Sequence, residues 1–151
     1  TKWPQIVLGL TFSWAVPTAW SAANENWNLG IFIMYLATVF WIIGYDTIYG
    51  CQDKNEDEIF GIKNSAVSAK NFLALFVGCS YSLMFCLLII SGYLLNNNIF
   101  WYIGVSICGL HLSFQVIKIK NIEQNNPLQI FKSNVVIGLL LTLSSLGNYI
   151  S

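Results

Sequence analysis

Five stretches of roughly twenty mostly apolar residues dominate the sequence, and a run of that length is what a helix needs to cross a hydrocarbon layer about 30 Å thick. They fall near Gln5 to Ala23, Leu29 to Gly50, Asn71 to Leu95, Ile99 to Ile117 and Ile130 to Ile150. Backbone N–H and C=O groups in hydrocarbon have no water to turn to, so each window must satisfy its own groups as a helix. The runs lack the alternation of a membrane barrel strand. The expected fold class is all-α, a polytopic transmembrane helix bundle, with residues 1–151 as a single transmembrane domain.

Composition agrees. With 56% hydrophobic residues, 9% charged residues and a mean hydropathy of +0.61, the chain cannot coat a soluble globule. Its surroundings are expected to be the lipid bilayer. Seven lysines balance seven acidic residues and there is no arginine, so no basic surface exists to draw in nucleic acid, which is excluded as a partner. Cys51, Cys79, Cys86 and Cys108 form no C-x-x-C pair and no Cys/His cluster, and are expected to be small buried hydrophobes. The sequence opens at Thr1 without an initiator Met or a signal-peptide pattern, which points to a piece of a longer protein.

The lysines give an orientation, because cationic loops are retained on the cytoplasmic side. Lys2 precedes the first window, Lys54, Lys63 and Lys70 lie between the second and third, and Lys118, Lys120 and Lys132 lie between the fourth and fifth. All fall on one face of a five-helix chain, which predicts a cytoplasmic N-terminus. Trp3, Trp20, Trp27 and Trp101 sit near predicted ends, where an indole keeps its N–H wet and its ring buried. Pro17 removes a backbone hydrogen bond within the first helix and predicts a kink.

The second window runs into the chain's main chemical feature. In Tyr45-Asp46-Thr47-Ile48-Tyr49-Gly50-Cys51-Gln52-Asp53-Lys54-Asn55-Glu56-Asp57, helical steps of three, four and four place Asp46, Tyr49, Asp53 and Asp57 within a sector of roughly 80°. A column of carboxylates repels itself unless a cation lies against it. Oxygen-only ligands are what Mg²⁺ prefers, commonly shared with substrate phosphates. Asp46 still lies inside the apolar window, where an unpaired carboxylate is costly and by default functional. Glu56 and Glu58, off the stripe, read as solvated loop. Lys63 either faces a diphosphate or anchors the next helix at the headgroups. His111, Gln115 and Asn134 are polar residues within the last two helices and possible cavity-lining groups, with a structural hydrogen bond to a neighbouring helix as the plainer role of His111. No second histidine exists to build a His-based metal site.

Tyr45-Asp46-Thr47-Ile48-Tyr49, followed by Gln52-Asp53-Lys54-Asn55-Glu56-Asp57 and Gly61-Ile62-Lys63-Asn64-Ser65-Ala66, resembles the second aspartate-rich motif of the UbiA family, specifically its 4-hydroxybenzoate polyprenyltransferase branch. Pro4-Gln5, Leu8 to Trp14, His111 to Gln115, Phe131 to Asn134 and Gly138 resemble its flanking helices. The resemblance implies a bundle of about nine transmembrane helices, of which this chain matches the C-terminal five. It implies Mg²⁺ held by Asp53 and Asp57 and carrying a polyprenyl diphosphate, catalytic roles for Asp46 and Tyr49, and a diphosphate-binding Lys63. The implied reaction is transfer of the polyprenyl group to the ring of 4-hydroxybenzoate in ubiquinone biosynthesis; the absence of Arg with plentiful Asn, Ile and Lys leans towards a bacterial inner membrane rather than a mitochondrial one. The first aspartate-rich motif, N-D-x-x-D-x-x-x-D, is absent from these residues, so a separate N-terminal half is an expected partner. The alternative reading is a transporter or ion-conducting subunit using Asp46 and His111.

Overall fold

The computed structural model describes residues 3–23, 26–52, 66, 69 and 72–147, and among these all regular structure is helical. Five helical spans are long and apolar enough to cross a membrane: Pro4–Ala23, Leu29–Tyr49, Leu73–Leu94, Ile99–Lys120 and Pro127–Leu146. The helices are α1 (Pro4–Phe12), α2 (Ala15–Ala23), α3 (Leu29–Tyr49), α4 (Leu73–Leu94), α5 (Ile99–Lys120), α6 (Pro127–Lys132) and α7 (Asn134–Leu146), with a 3₁₀ turn at Ile122–Gln124. Two spans are therefore broken, the first between α1 and α2 and the last between α6 and α7. The fourth span runs to Lys120 rather than ending at Ile117, and the last begins at Pro127 rather than Ile130.

The first break follows from Pro17. Its ring clashes with the carbonyl four residues back and it has no N–H to offer that carbonyl. That residue is Ser13, where the helix stops, and Val16 N–H takes the Ser13 carbonyl instead at 3.0 Å. The Leu10 carbonyl, released by the same break, accepts the Tyr35 hydroxyl of α3 at 3.1 Å. Ser13 Oγ is fully buried and has no hydrogen-bond partner. At the second break side chains add to the backbone bonds. Ser133 Oγ donates to the Ile130 carbonyl at 2.7 Å and Asn134 Nδ2 donates to the Phe131 carbonyl at 3.0 Å, alongside the backbone amides that those carbonyls already accept.

The asparagine-rich turns are caps. The side chains of Asn28, Asn98 and Asn126 accept from the N–H groups of Ile31, Phe100 and Leu128, satisfying donors at the starts of α3, α5 and α6. At the end of α4, Asn96 takes a left-handed φ of 54°, and the amides of Asn96 and Asn97 return to the carbonyls of Tyr93 and Gly92 in a Schellman closure.

Packing is built on close approach. The most extensive contact is α3 against α4; α5 then packs on α4 and α7, and α1 packs on α3. Helices in lipid gain little from burying apolar surface, so small residues that let neighbours approach matter more. A Cβ at Gly44 would fall on the Tyr81 ring, and one at Gly92 would fall on the Trp101 indole. Trp101 is consequently packed inside at 3% exposure, with Nε1 donating to the Leu88 carbonyl, and does not sit as a headgroup-level indole. Cys108 is buried, whereas Cys79 and Cys86 are exposed on the outer face of α4, contrary to the expectation that all the cysteines are interior.

Two outcomes test this packing. Ser13→Ala removes an unsatisfied buried hydroxyl and should leave resistance to denaturing detergent unchanged or raise it by about 1 kcal/mol. Gly44→Ala, which drives a methyl into Tyr81, should lower it by about 1–3 kcal/mol.

Candidate active site

Tyr45, Asp46 and Tyr49 leave the last turns of α3 on one side, while Thr47 and Ile48 between them are fully buried in the core. Steps of three along the helix separate Asp46 and Tyr49 by roughly 60°. Asp46 is half-buried, and among the described residues its carboxylate has no hydrogen-bond or ionic partner. Beside it runs an aromatic wall. Trp41 meets Tyr45 edge-on at 5.7 Å, Tyr45 meets Phe131 of α6 at 5.6 Å, and Phe131 meets Tyr49 at 5.0 Å. Offset and edge-on ring pairs of this kind hold one another's rotamers and offer π-faces to positive charge.

Behind the wall lies a polar network that ties four helices together. Trp41 Nε1 donates to Asn134 Oδ1 at 3.0 Å. Tyr81 Oη donates to Gln115 Oε1 at 2.8 Å, and Asn134 Nδ2 approaches the same oxygen at 3.5 Å. Gln115 Nε2 donates to Ser133 Oγ at 3.0 Å, and His111 Nε2 lies 3.1 Å from that oxygen. His111, Gln115 and Asn134 are thus brought together, and Trp41, Tyr81 and Ser133 join them. These three are not marked by the sequence, because a Trp, a Tyr and a Ser in apolar runs carry no spacing signal. Gln115 and Asn134 are buried at 1% and 7% exposure, and His111 is half-buried.

The remaining expected site residues, Asp53 and Asp57 of the stripe and the separate Lys63, lie outside the described residues. Among the described residues no three His, Cys, Asp or Glu side chains gather into a metal-holding group. What α3 supplies is the Asp46 carboxylate, unpartnered among the described residues, an oxygen donor of the type a hard divalent cation takes. A large concavity lies elsewhere. It is an outward-facing apolar groove of about 1030 Å³ between α4 and α5, floored by Tyr81 and Leu112 and ending at Lys120, and it contains none of the stripe residues.

The profile of the UbiA prenyltransferase family matches residues 1–143. The chain belongs to the UbiA prenyltransferase family. It is similar to a 4-hydroxybenzoate octaprenyltransferase of Francisella tularensis subsp. novicida (strain U112), with 36% identity over 147 residues, covering 97% of this chain and 52% of the relative. It is also 36% identical over 152 residues to a mitochondrial 4-hydroxybenzoate polyprenyltransferase of Dictyostelium discoideum, covering 95% of this chain and 31% of that relative. The chain therefore spans about half the length of the Francisella relative and less of the amoebal one. No solved structure gives a significant match.

Within this UbiA-family chain the Gln115 carboxamide is the hub of the network. Gln115→Ala should cost about 1–3 kcal/mol in resistance to denaturing detergent, because the buried Tyr81 hydroxyl and the Ser133 lone pair lose their partner together.

Proposed function

We propose that this chain supplies the second aspartate-rich half of a membrane enzyme that transfers a polyprenyl group from polyprenyl diphosphate to the ring of 4-hydroxybenzoate in ubiquinone biosynthesis. The observation that carries this reading is the Asp46 carboxylate, unpartnered among the described residues, at the end of α3 in a UbiA-family chain whose relatives are named 4-hydroxybenzoate octaprenyl- or polyprenyltransferase. Mg²⁺ bound by Asp53 and Asp57 would neutralise charge growing on the leaving diphosphate. Lys63 adds a cationic contact to the same group. Asp46 and Tyr49 line the site on its membrane side, and the Tyr45–Phe131–Tyr49 wall excludes water and faces the allylic carbon as positive charge builds there. The partner is a segment bearing the first aspartate-rich motif, which completes the opposite side. The lysines, with Lys118, Lys120 and Lys132 at the same end of the bundle as Tyr49, support a cytoplasmic position for the stripe in a bacterial inner membrane.

Prenyl transfer to 4-hydroxybenzoate, measured in membranes that hold this chain together with the segment carrying the first motif, tests the proposal. Asp53→Ala with Asp57→Ala should lower the rate on the order of a hundredfold or more. Transfer at the normal rate in that double variant would end the assignment.

A further inference from the structure

The aromatic wall is carried by two helices that a single side chain joins. Trp41, Tyr45 and Tyr49 stand one turn apart on α3, and steps of four keep them within a sector of roughly 80°. Phe131, from the short helix α6, fits against the last two, its ring centroid 5.6 Å from Tyr45 and 5.0 Å from Tyr49. Asn134, the first residue of α7, ties the two helices together. An indole N–H can only donate, so Trp41 Nε1 fixes the Asn134 amide with Oδ1 towards α3, at 3.0 Å. The same amide then turns Nδ2 to the Phe131 carbonyl, also at 3.0 Å, with the Ile130 carbonyl and Gln115 Oε1 farther off at 3.5 Å. One carboxamide thus holds both sides of the wall, the α3 side by its oxygen and the α6 side by its nitrogen.

Asn134 is buried at 7% exposure, where water does not replace a broken bond. Trp41 passes the constraint on. Its ring lies over Gly138 of α7, where a Cβ would be 3.7 Å from Cη2, and it meets Tyr45 edge-on at 5.7 Å. Among the described residues the wall keeps an open side, since Trp41, Tyr45 and Phe131 are only half-buried and Tyr49 is 40% exposed. Around the α3 axis Tyr49 falls between Tyr45 and Asp46, about 40° from one and about 60° from the other, so the open rings end beside the carboxylate.

We propose that Asn134 is a positioning residue for prenyl transfer: by tying Trp41 to the Phe131 carbonyl it keeps the aromatic wall closed to water, so that the aromatic acceptor and not water captures the allylic cation. The inference rests on the prenyl-transfer reading above. Both fates of the cation begin alike, as the allylic C–O bond breaks and diphosphate leaves with the electron pair. In transfer, the acceptor ring carbon supplies the electrons of the new C–C bond and then loses its proton. In the leak, a water oxygen bonds to the allylic carbon and loses a proton, which gives polyprenol. Asn134 touches neither reactant, and acts on the ratio through the rings it holds.

The ratio of polyprenol to prenylated 4-hydroxybenzoate reads this directly, in membranes that hold this chain together with the segment bearing the first motif. It does not depend on how much enzyme has folded. In H₂¹⁸O, capture at carbon puts the label in polyprenol, whereas attack at phosphorus leaves it in phosphate. Trp41→Phe removes the indole N–H and keeps a ring, and Asn134→Ala removes both bonds. Each should raise the labelled ratio about tenfold, the factor that corresponds to losing one buried hydrogen bond. Trp101→Phe makes the same change at a buried indole in the first turn of α5, whose N–H bonds to the Leu88 carbonyl. It should lower resistance to detergent and leave the ratio at the wild-type value. Trp41→Phe decides the matter where Asn134→Ala does not accumulate. A wild-type ratio in Trp41→Phe would overturn the inference, as would an equal rise in Trp101→Phe, which marks general loosening. Wild-type membranes that form no prenylated 4-hydroxybenzoate overturn the functional reading itself.

Discussion

The Gln115 carboxamide, buried between helices with its oxygen shared by Tyr81 and Asn134 and its nitrogen on Ser133, is the point on which the arrangement of α3, α4, α5 and α7 depends. In hydrocarbon a polar group without a partner costs more than it does near water, and apolar surface gives helices little reason to choose one neighbour over another. A network whose members each have a defined donor or acceptor role supplies the selectivity that burial does not. Its direction is fixed from the Trp41 donor at one end to the Ile130 carbonyl at the other. Each member constrains the next.

Close approach makes the network reachable. Tyr81 can extend from α4 to Gln115 on α5 because Gly44 leaves room for its ring against α3, and Gly104 leaves room for Ser144 where α5 meets α7. The break at Ser133 belongs to the same device. Besides the backbone amides of the cap, the Ile130 and Phe131 carbonyls there accept the side chains of Ser133 and Asn134, whose other atoms then face Gln115 and Trp41. Trp41 in turn sets the edge of the aromatic wall that ends at Tyr49. Interior hydrogen bonding thus fixes the orientation of the α3 turns that carry Asp46, without a contact to Asp46 itself.

Much of the fold was legible because lipid imposes simple rules. Five spans follow from length and hydropathy, and the second and third sit within two residues of where the apolar windows place them on the described sequence. Pro17 was readable as a kink, and the helix stops at Ser13, the residue whose carbonyl its ring obstructs. The Asn-rich turns read as polar loops but act as caps, which depends on backbone geometry that no hydropathy window contains. Trp101 was misplaced for a related reason. An indole near a helix end is belt-like by position, yet Gly92 opens a slot that takes it inside and Leu88 supplies the carbonyl for its N–H.

The sequence alone determined the membrane setting, the number of spans and the family resemblance, because each depends on residue type and spacing along one chain. Tertiary structure decided which helices touch, and that His111, Gln115 and Asn134 share one network with Trp41, Tyr81 and Ser133. Those facts depend on donors and acceptors from helices far apart in the chain meeting at hydrogen-bond distance. Periodicity within a single helix carries no information about what a neighbouring helix brings to the same place.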